Sequence, residues 1–76
     1  MSKYNESSYH TKKTIAESFL KLLVRMPIQK ITIKEIVDDC GLNRQTFYYH
    51  FSDIYNLLNW TAKDLMSELS MDGNVV

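Results

Sequence analysis

The segment from Thr32 to Phe51 constrains the fold of this chain most, because it carries start and stop signals for two short helices. Thr32 and Glu35 have the spacing of a capping box, in which each side chain accepts a hydrogen bond from the other residue's backbone N–H. Gly41 stands where a residue in the left-handed conformation commonly ends a helix. The apolar residues between these two signals recur at the spacing of one helical face: Ile33, Ile36, Val37 and Cys40.

A second short helix is predicted after a tight turn. Asn43 is a suitable N-cap for a helix that starts at Arg44. Phe47 and Phe51 are four residues apart and share its buried face. The polar and aromatic side chains fall on the opposite face and its flanks: Arg44, Gln45, Thr46, Tyr48 and Tyr49. Two short helices in this order indicate a helix-turn-helix, whose second helix enters the DNA major groove.

The residues before this pair predict a longer amphipathic helix from near Thr11 to near Met26. Pro27 ends it, because the residue before a proline is displaced from the α region. An apolar stripe of helical spacing runs along the helix: Ile15, Phe19, Leu22, Leu23 and Met26.

The residues after the pair predict a fourth helix that runs to about Ser70. Ser52 is a suitable N-cap, and Asp53 places a negative charge where the helix dipole favours one. The face predicted to be buried consists of Ile54, Leu57, Leu58, Thr61 and Leu65, widened by Trp60, Met66 and Leu69.

These elements predict one small all-α domain over residues 11–70, with the helix-turn-helix at about 32–51. Residues 1–10 are interpreted as a flexible N-terminal arm and residues 71–76 as a frayed tail. Within the arm, Lys3 and Tyr4 could reach a neighbouring DNA groove, although plain disorder is the simpler expectation. A chain of 76 residues buries a limited core, so we expect marginal stability.

The formal net charge of zero conceals an uneven distribution. Residues 1–34 carry seven basic and two acidic side chains, whereas residues 35–76 carry two basic and seven acidic ones. A neutral balance counts mildly against a nucleic-acid partner and predicts modest non-specific affinity, which scales with the phosphates neutralised. The single cysteine and the lack of a membrane-length apolar run lead us to expect a cytoplasmic protein without membrane contact.

The sequence offers no constellation for catalysis or for metal binding. His50 has no second histidine or cysteine at metal-ligand spacing, because His10 lies in the arm and Cys40 stands alone on an apolar face. No nucleophile–base pair and no glycine-rich phosphate loop is recognisable. We therefore expect neither an enzyme nor a protein that needs a cofactor.

The residues from Thr32 to Leu58 follow the pattern T-x-x-x-I-x-x-x-C-G-L-x-x-x-T-F-Y-Y-H-F-x-D-x-x-x-L-L. This pattern resembles the DNA-binding domain of the TetR/AcrR family of transcription regulators, and the resemblance extends from about Thr11 to about Leu69. Its most specific part is T-F-Y-Y-H-F. The variant F-Y-Y-H-F-x-D-I-Y-x-L-x-x-W also resembles a subgroup related to regulators of dihydroxyacetone kinase operons. The resemblance implies a homeodomain-like three-helix core, the start of a fourth helix, and sequence-specific binding of duplex DNA for transcription regulation.

The outer face of the third helix supplies candidates for contact with base edges, and the resemblance adds one from the second helix. The base candidates are Lys34, Arg44, Gln45, Thr46 and Tyr49. Phosphate contacts fix register without reading sequence, and their candidates are Thr32, Asn43, Tyr48, His50 and Tyr55, with Tyr48 and His50 included because the resemblance implies that role. Tyr48 also fits a half-buried structural aromatic, and the two roles are compatible. By resemblance, Lys12 and Lys13 of the first helix are further phosphate candidates.

One position departs from the family pattern. The family commonly has a phosphate-binding lysine at the start of the fourth helix, and this chain has Ile54 there. Tyr55 or the free N–H groups at that helix start are the candidates to replace the missing contact.

The resemblance also implies partners. TetR-like proteins carry a C-terminal domain beyond the fourth helix, which binds a small-molecule effector and forms a homodimer, and this chain stops where that domain would begin. The expected partner of the chain itself is therefore a DNA operator, with dimer and effector in a longer protein. The chain is interpreted as either a fragment or a short natural relative.

The alternative function is a small helical protein–protein interaction module without DNA binding. Tyr48, Tyr49, Tyr55 and Trp60 would then form an exposed aromatic patch of the kind enriched at protein interfaces. The neutral charge and Ile54 favour this alternative, whereas the T-F-Y-Y-H-F context favours DNA binding.

Overall fold

The computed structural model describes the backbone of residues 3–73 and the side chains of residues 8–69. Over this part of the chain the backbone forms four α-helices and a 3₁₀ turn and contains no strand, which confirms the predicted all-α class. The helices are α1 Lys3–Arg25, α2 Ile33–Cys40, α3 Arg44–His50 and α4 Ile54–Gly73, and the 3₁₀ turn is Ile28–Lys30. In the same residues, none of the helices has the length and apolarity needed to cross a bilayer.

The first helix begins earlier than the sequence predicted. α1 starts at Lys3 instead of near Thr11, so the predicted arm is helical where the structure describes it. Tyr9 accounts for part of this extension, because its ring lies 5.8 Å from that of Trp60 and its hydroxyl donates to Asp64 over 2.9 Å. The two arm side chains considered for a DNA groove, Lys3 and Tyr4, lie outside the described side chains.

The predicted end of α1 is confirmed. The helix ends at Arg25, and Pro27 adopts an extended conformation with φ −70° and ψ 154°. The 3₁₀ turn then brings Ile31 into the core, where 5% of its surface is exposed.

The capping signals predicted for α2 and α3 are present. Thr32 Oγ1 accepts from the Glu35 N–H over 3.1 Å, and Glu35 Oε1 accepts from the Thr32 N–H over 3.0 Å. Gly41 ends α2 with φ +74°, a region that costs glycine little because it lacks a Cβ. Asn43 Oδ1 accepts from the Thr46 N–H over 2.9 Å and begins α3. Local hydrogen bonds therefore fix the turn of the helix-turn-helix.

The cap of the fourth helix differs from the prediction. Asp53, and not Ser52, caps α4, because its Oδ1 accepts from the Asn56 N–H over 2.8 Å. Asn56 Oδ1 in turn accepts from the Ser52 N–H over 3.1 Å. This reciprocal arrangement resembles a capping box, and it satisfies one donor inside the helix and one before it.

The fourth helix buries only the first part of its apolar face. Leu57 and Thr61 are buried, and Ile54 and Trp60 pack partly against the core. The later apolar residues are exposed by between 38% and 67%: Leu58, Leu65, Met66 and Leu69. α4 continues to Gly73, beyond its predicted end, and the rest of the predicted tail lies outside the described residues.

Each of the four helices contributes a side chain with no exposed surface to one core. These residues are Phe19 of α1, Ile36 of α2, Phe47 of α3 and Leu57 of α4, all 0% exposed. All four lie on faces that the apolar periodicity predicted to be buried. Burial of such side chains contributes about 1.5–3 kcal/mol each relative to exposure, so this cluster accounts for much of the stability of a small domain.

Polar contacts tie α1 to α4. Lys13 Nζ donates to Asp64 Oδ2 and to Glu68 Oε2, both over 2.7 Å, and Tyr9 donates to the other oxygen of Asp64. The hydrogen bond from Lys13 is the main cause that lowers the pKa of Asp64, and the bond to Asp64 is the main cause that raises the pKa of Lys13. These four residues are called the α1–α4 clamp below.

A second polar contact ties α1 to α2. The buried Ser18 donates to Asp39 Oδ2 over 2.6 Å, and Lys21 forms an ion pair with the same oxygen over 3.0 Å. The Ser18 hydrogen bond, followed by that from Lys21, lowers the pKa of Asp39. Buried hydroxyls need such partners, and Ser18 was not recognised as a core residue in the sequence.

The corrected cap of α4 is testable by paired substitutions. Asp53→Ala removes the side chain that accepts from Asn56, and we expect a loss of about 1 kcal/mol in the free energy of unfolding. Ser52→Ala removes no side-chain cap and should change it by less than half of that. Urea unfolding followed by circular dichroism measures both, and a larger loss for Ser52→Ala would contradict the assignment.

The clamp predicts a pH dependence of stability. Because the folded pKa of Asp64 lies below its ordinary 3.8, the unfolded chain binds more protons in the interval between the two values. The stabilisation is therefore complete above 3.8 and is lost as the pH falls through the folded value. In a plot of melting temperature against pH, the acid limb is the fall in melting temperature at low pH. We expect Asp64→Asn and Lys13→Met to make this limb shallower, and Tyr9→Phe to have a smaller effect. An unchanged acid limb in both of the first two variants would contradict the clamp.

Candidate nucleic-acid interface

The third helix presents its polar and aromatic side chains to solvent, as the sequence predicted. Arg44, Gln45 and Tyr49 are exposed, with Tyr49 exposed by 84%. Thr46 is half-buried at the flank, while Phe47 on the opposite face is fully buried. The structure therefore brings four of the five base candidates onto one short helix, seven residues long.

Tyr48 combines the two environments that its position suggested. Its ring lies 5.6 Å from that of Phe47 in an edge-on arrangement, and 55% of the residue is exposed. Edge-on aromatic pairs stabilise packing beyond simple burial. The phenol of Tyr48 is thus held by the core while the residue keeps a solvent-exposed part.

His50 ends α3 in a half-buried position. Its ring stands at 90° to that of Tyr49, with centroids 5.0 Å apart. Burial is the main cause that lowers the pKa of His50, and the nearby charge of Lys12 lowers it further. The imidazole is consequently more often neutral at a given pH than a solvated histidine, and a neutral ring offers one N–H donor.

The two lysines of α1 differ in their surroundings. Lys12 lies near enough to His50 for its charge to act on that ring. Lys13 instead belongs to the α1–α4 clamp, where two carboxylates neutralise its charge. Lys13 is therefore less available for a phosphate contact than the sequence suggested, whereas the charge of Lys12 acts on the last residue of α3.

Two phosphate candidates already serve as helix caps. Thr32 uses its hydroxyl both to accept from the Glu35 N–H and to donate to the Glu35 carboxylate over 3.2 Å. Asn43 uses its side-chain oxygen for the Thr46 N–H. A phosphate contact by Asn43 would therefore use its amide nitrogen, and one by Thr32 would displace a capping interaction.

The start of α4 is a poor substitute for the missing family lysine. Asp53 places its carboxylate over the N–H groups at this end of the helix, which disfavours a phosphate there. Ile54 packs against the core, so an apolar residue suits that position. Tyr55, exposed by 62%, remains the candidate in this region.

Lys34 is the base candidate that the second helix contributes. Its Nζ lies 2.8 Å from Asp38 Oδ2, one helical turn along α2. The i, i+4 spacing of this pair is visible in the sequence, but the competition of Asp38 with DNA for Lys34 was not predicted from it.

The capping of α4 by Asp53 and the neutralisation of Lys13 were not predicted for a different reason. Residue types alone do not show which partner each of these side chains contacts.

Two further groups of residues were considered in the sequence, one for metal binding and one for protein binding. Among residues 8–69, no group of three or more histidine, cysteine and acidic side chains is arranged to hold a metal ion. Cys40 is half-buried against the core. Trp60, expected in an exposed aromatic patch, is half-buried between Phe51 and Tyr9, with ring centroids 5.9 Å and 5.8 Å away.

Comparison with known proteins gives two findings. The family model "Bacterial regulatory proteins, tetR family" matches residues 15–59. The chain is also 30% identical over 69 residues to the HTH-type dhaKLM operon transcriptional activator DhaS of Lactococcus lactis subsp. lactis. That alignment covers 91% of this chain and 37% of the relative, so the chain spans well under half of the relative's length.

Both matches are to regulators and not to enzymes. The family match extends over more than half of the chain, and it contains α2, the turn and α3 in full. This chain belongs to the tetR family of bacterial regulatory proteins.

Proposed function

We propose that this chain binds duplex DNA sequence-specifically in the regulation of transcription, with α3 in the major groove. The observation that carries the proposal is the exposed face of α3, whose opposite face is fixed by the buried Phe47. The major groove admits an α-helix and presents a distinct pattern of donors and acceptors at each base pair. A short helix held rigidly from behind suits such a groove.

The side chains on this face have the chemistry of direct readout. The Arg44 guanidinium matches the two acceptors of guanine, and the Gln45 amide matches the donor and acceptor of adenine. Thr46 offers a methyl group to thymine, and the exposed Tyr49 offers a ring and a hydroxyl. Lys34 would add a contact from α2 once it leaves Asp38.

Residues around this face supply the phosphate contacts of the proposal. Tyr48 and Tyr55 offer exposed phenols on either side of the α3–α4 turn. His50 at the end of α3 and Lys12 of α1 are the other two, and the charge of Lys12 acts on the His50 ring. Such contacts set the register of α3 on the duplex, and the caps Thr32 and Asn43 would add weaker ones.

The proposal extends to the longer protein in which such a domain works. Two copies would bind two half-sites about one helical turn apart, and a small-molecule effector would act through a further domain. The relative's name describes activation of an operon, and a role at an operator is proposed here without a preference between activation and repression. The site of action is the cytoplasm, where a bacterial chromosome lies.

The alternative is a protein–protein interaction module that uses the same aromatic surface. It is favoured by the 84% exposure of Tyr49, since tyrosines are enriched at protein interfaces. The half-buried position of Trp60 removes one member of the patch on which this alternative depended. Selection from a random duplex pool separates the two functions, because an interaction module enriches no DNA motif.

A charge-matched pair of arginine variants tests the base contacts. We expect Arg44→Ala to weaken binding to the selected site by about 1–3 kcal/mol and to relax the preference at one base position. Arg25→Ala, at the end of α1, removes the same charge from another part of the fold and should leave the motif unchanged. Fluorescence anisotropy with single-base variants of the site measures both, and equal effects would contradict the proposal.

The two neighbouring lysines of α1 form a second matched pair. If Lys12 neutralises a phosphate, Lys12→Ala should reduce the slope of log affinity against log salt by about 0.9. Lys13→Ala should leave that slope unchanged and lower the melting temperature, because Lys13 belongs to the clamp. Salt titrations and thermal unfolding distinguish the variants, and the reverse pattern would remove Lys12 from the interface.

A further inference from the structure

The helix-turn-helix carries more acidic than basic side chains, which is unexpected for a segment that lies against phosphates. Between Thr32 and Tyr55 there are two basic and four acidic side chains. The basic residues are Lys34 and Arg44, and the acidic ones are Glu35, Asp38, Asp39 and Asp53. The partners of each carboxylate decide which of them affects a bound duplex.

Three of the four carboxylates are engaged in contacts that build the fold. Glu35 belongs to the capping box at the start of α2. Asp39 accepts from Ser18 and pairs with Lys21 on α1. Asp53 caps α4. Their carboxylates are engaged by helix caps or by α1, and none of these three forms an ion pair with a cationic candidate for DNA contact.

Asp38 is different, because its partner is a cationic candidate for DNA contact. Its carboxylate lies 2.8 Å from Lys34 Nζ, and the two side chains are 62% and 65% exposed. All four carboxylates lie within the described residues, and only Asp38 is paired with a basic side chain of the proposed interface. A phosphate or base that binds Lys34 must therefore compete with Asp38 for the ammonium group.

Helix stability does not account for this pair. Lys34 stands in the first turn of α2 and Asp38 in its last turns, so each charge lies at the end where the helix dipole disfavours it. The order of lysine before acid along the helix is also the weaker of the two arrangements at this spacing. Removing the Asp38 charge should consequently cost the fold little.

We propose that Asp38 is a positioning residue that holds the Lys34 ammonium on the protein and thereby restrains binding to DNA of arbitrary sequence. This inference rests on the proposed DNA-binding function. Non-specific binding is almost wholly electrostatic, so losing one cation to an internal partner weakens it directly. The Asp38 carboxylate would also lie close to the phosphates that Lys34 binds and repel them.

The test measures binding to a duplex of random sequence. Asp38→Asn should raise affinity about 2- to 5-fold at low salt and steepen the salt slope by about 0.9, as expected for one more phosphate neutralised. Asp38→Glu keeps the carboxylate, and this variant should bind the random duplex with the affinity of the wild type. Glu17→Gln is the matched control, because it removes an equal charge from an exposed α1 residue beside Lys13 and Asp64.

A double variant shows whether Asp38 acts through Lys34. In a Lys34→Ala background the gain from Asp38→Asn should vanish, and thermal unfolding should show each protein folded. A gain that persists there, an unchanged salt slope, or an equal gain in Glu17→Gln overturns the inference. If wild type selects a motif and Arg44→Ala relaxes it while Asp38→Asn changes nothing, this inference alone fails. Absence of any duplex binding by the wild-type chain overturns both proposals.

Discussion

The burial of Phe47 fixes the direction of every side chain that α3 presents to solvent. Its ring has no exposed surface and lies 5.7 Å from that of Phe51 and 5.6 Å from that of Tyr48. A helix of seven residues has little stability of its own. The order of the outer face therefore comes from the core behind it, and a loss of packing at Phe19 or Leu57 would loosen the solvent-exposed face of α3 without altering its side chains.

Features that depend on contacts between residues close in sequence could be predicted, whereas features that depend on distant contacts could not. The caps at Thr32, Gly41 and Asn43 involve neighbours within four residues, so residue types and spacing were sufficient. The predicted start of α1 was wrong, and part of the extension involves the contact of Tyr9 with Asp64, which lies 55 residues away along the chain. No periodicity within one helix reports a contact of that range.

The same distinction applies to the residues of the candidate interface. The exposure of Arg44, Gln45 and Tyr49 followed from the positions of the two buried phenylalanines. The pairing of Lys13 with carboxylates of α4 could not be predicted, because the sequence does not distinguish a surface lysine with a phosphate partner from one with a carboxylate partner. Likewise, Ser52 and Asp53 are both good cap residues, and the contact with Asn56 decides between them.

The positive charge available to interact with a duplex therefore differs from what the formal charge of the chain suggests. Lys13 is neutralised by two carboxylates, Asp39 is held by α1, and burial and Lys12 lower the pKa of His50. Few cations remain around α3, so electrostatics alone supplies a small share of any affinity for DNA. Recognition must then depend on hydrogen bonds and aromatic contacts of defined geometry. Such contacts require a rigidly placed helix, which is what the buried face of α3 provides.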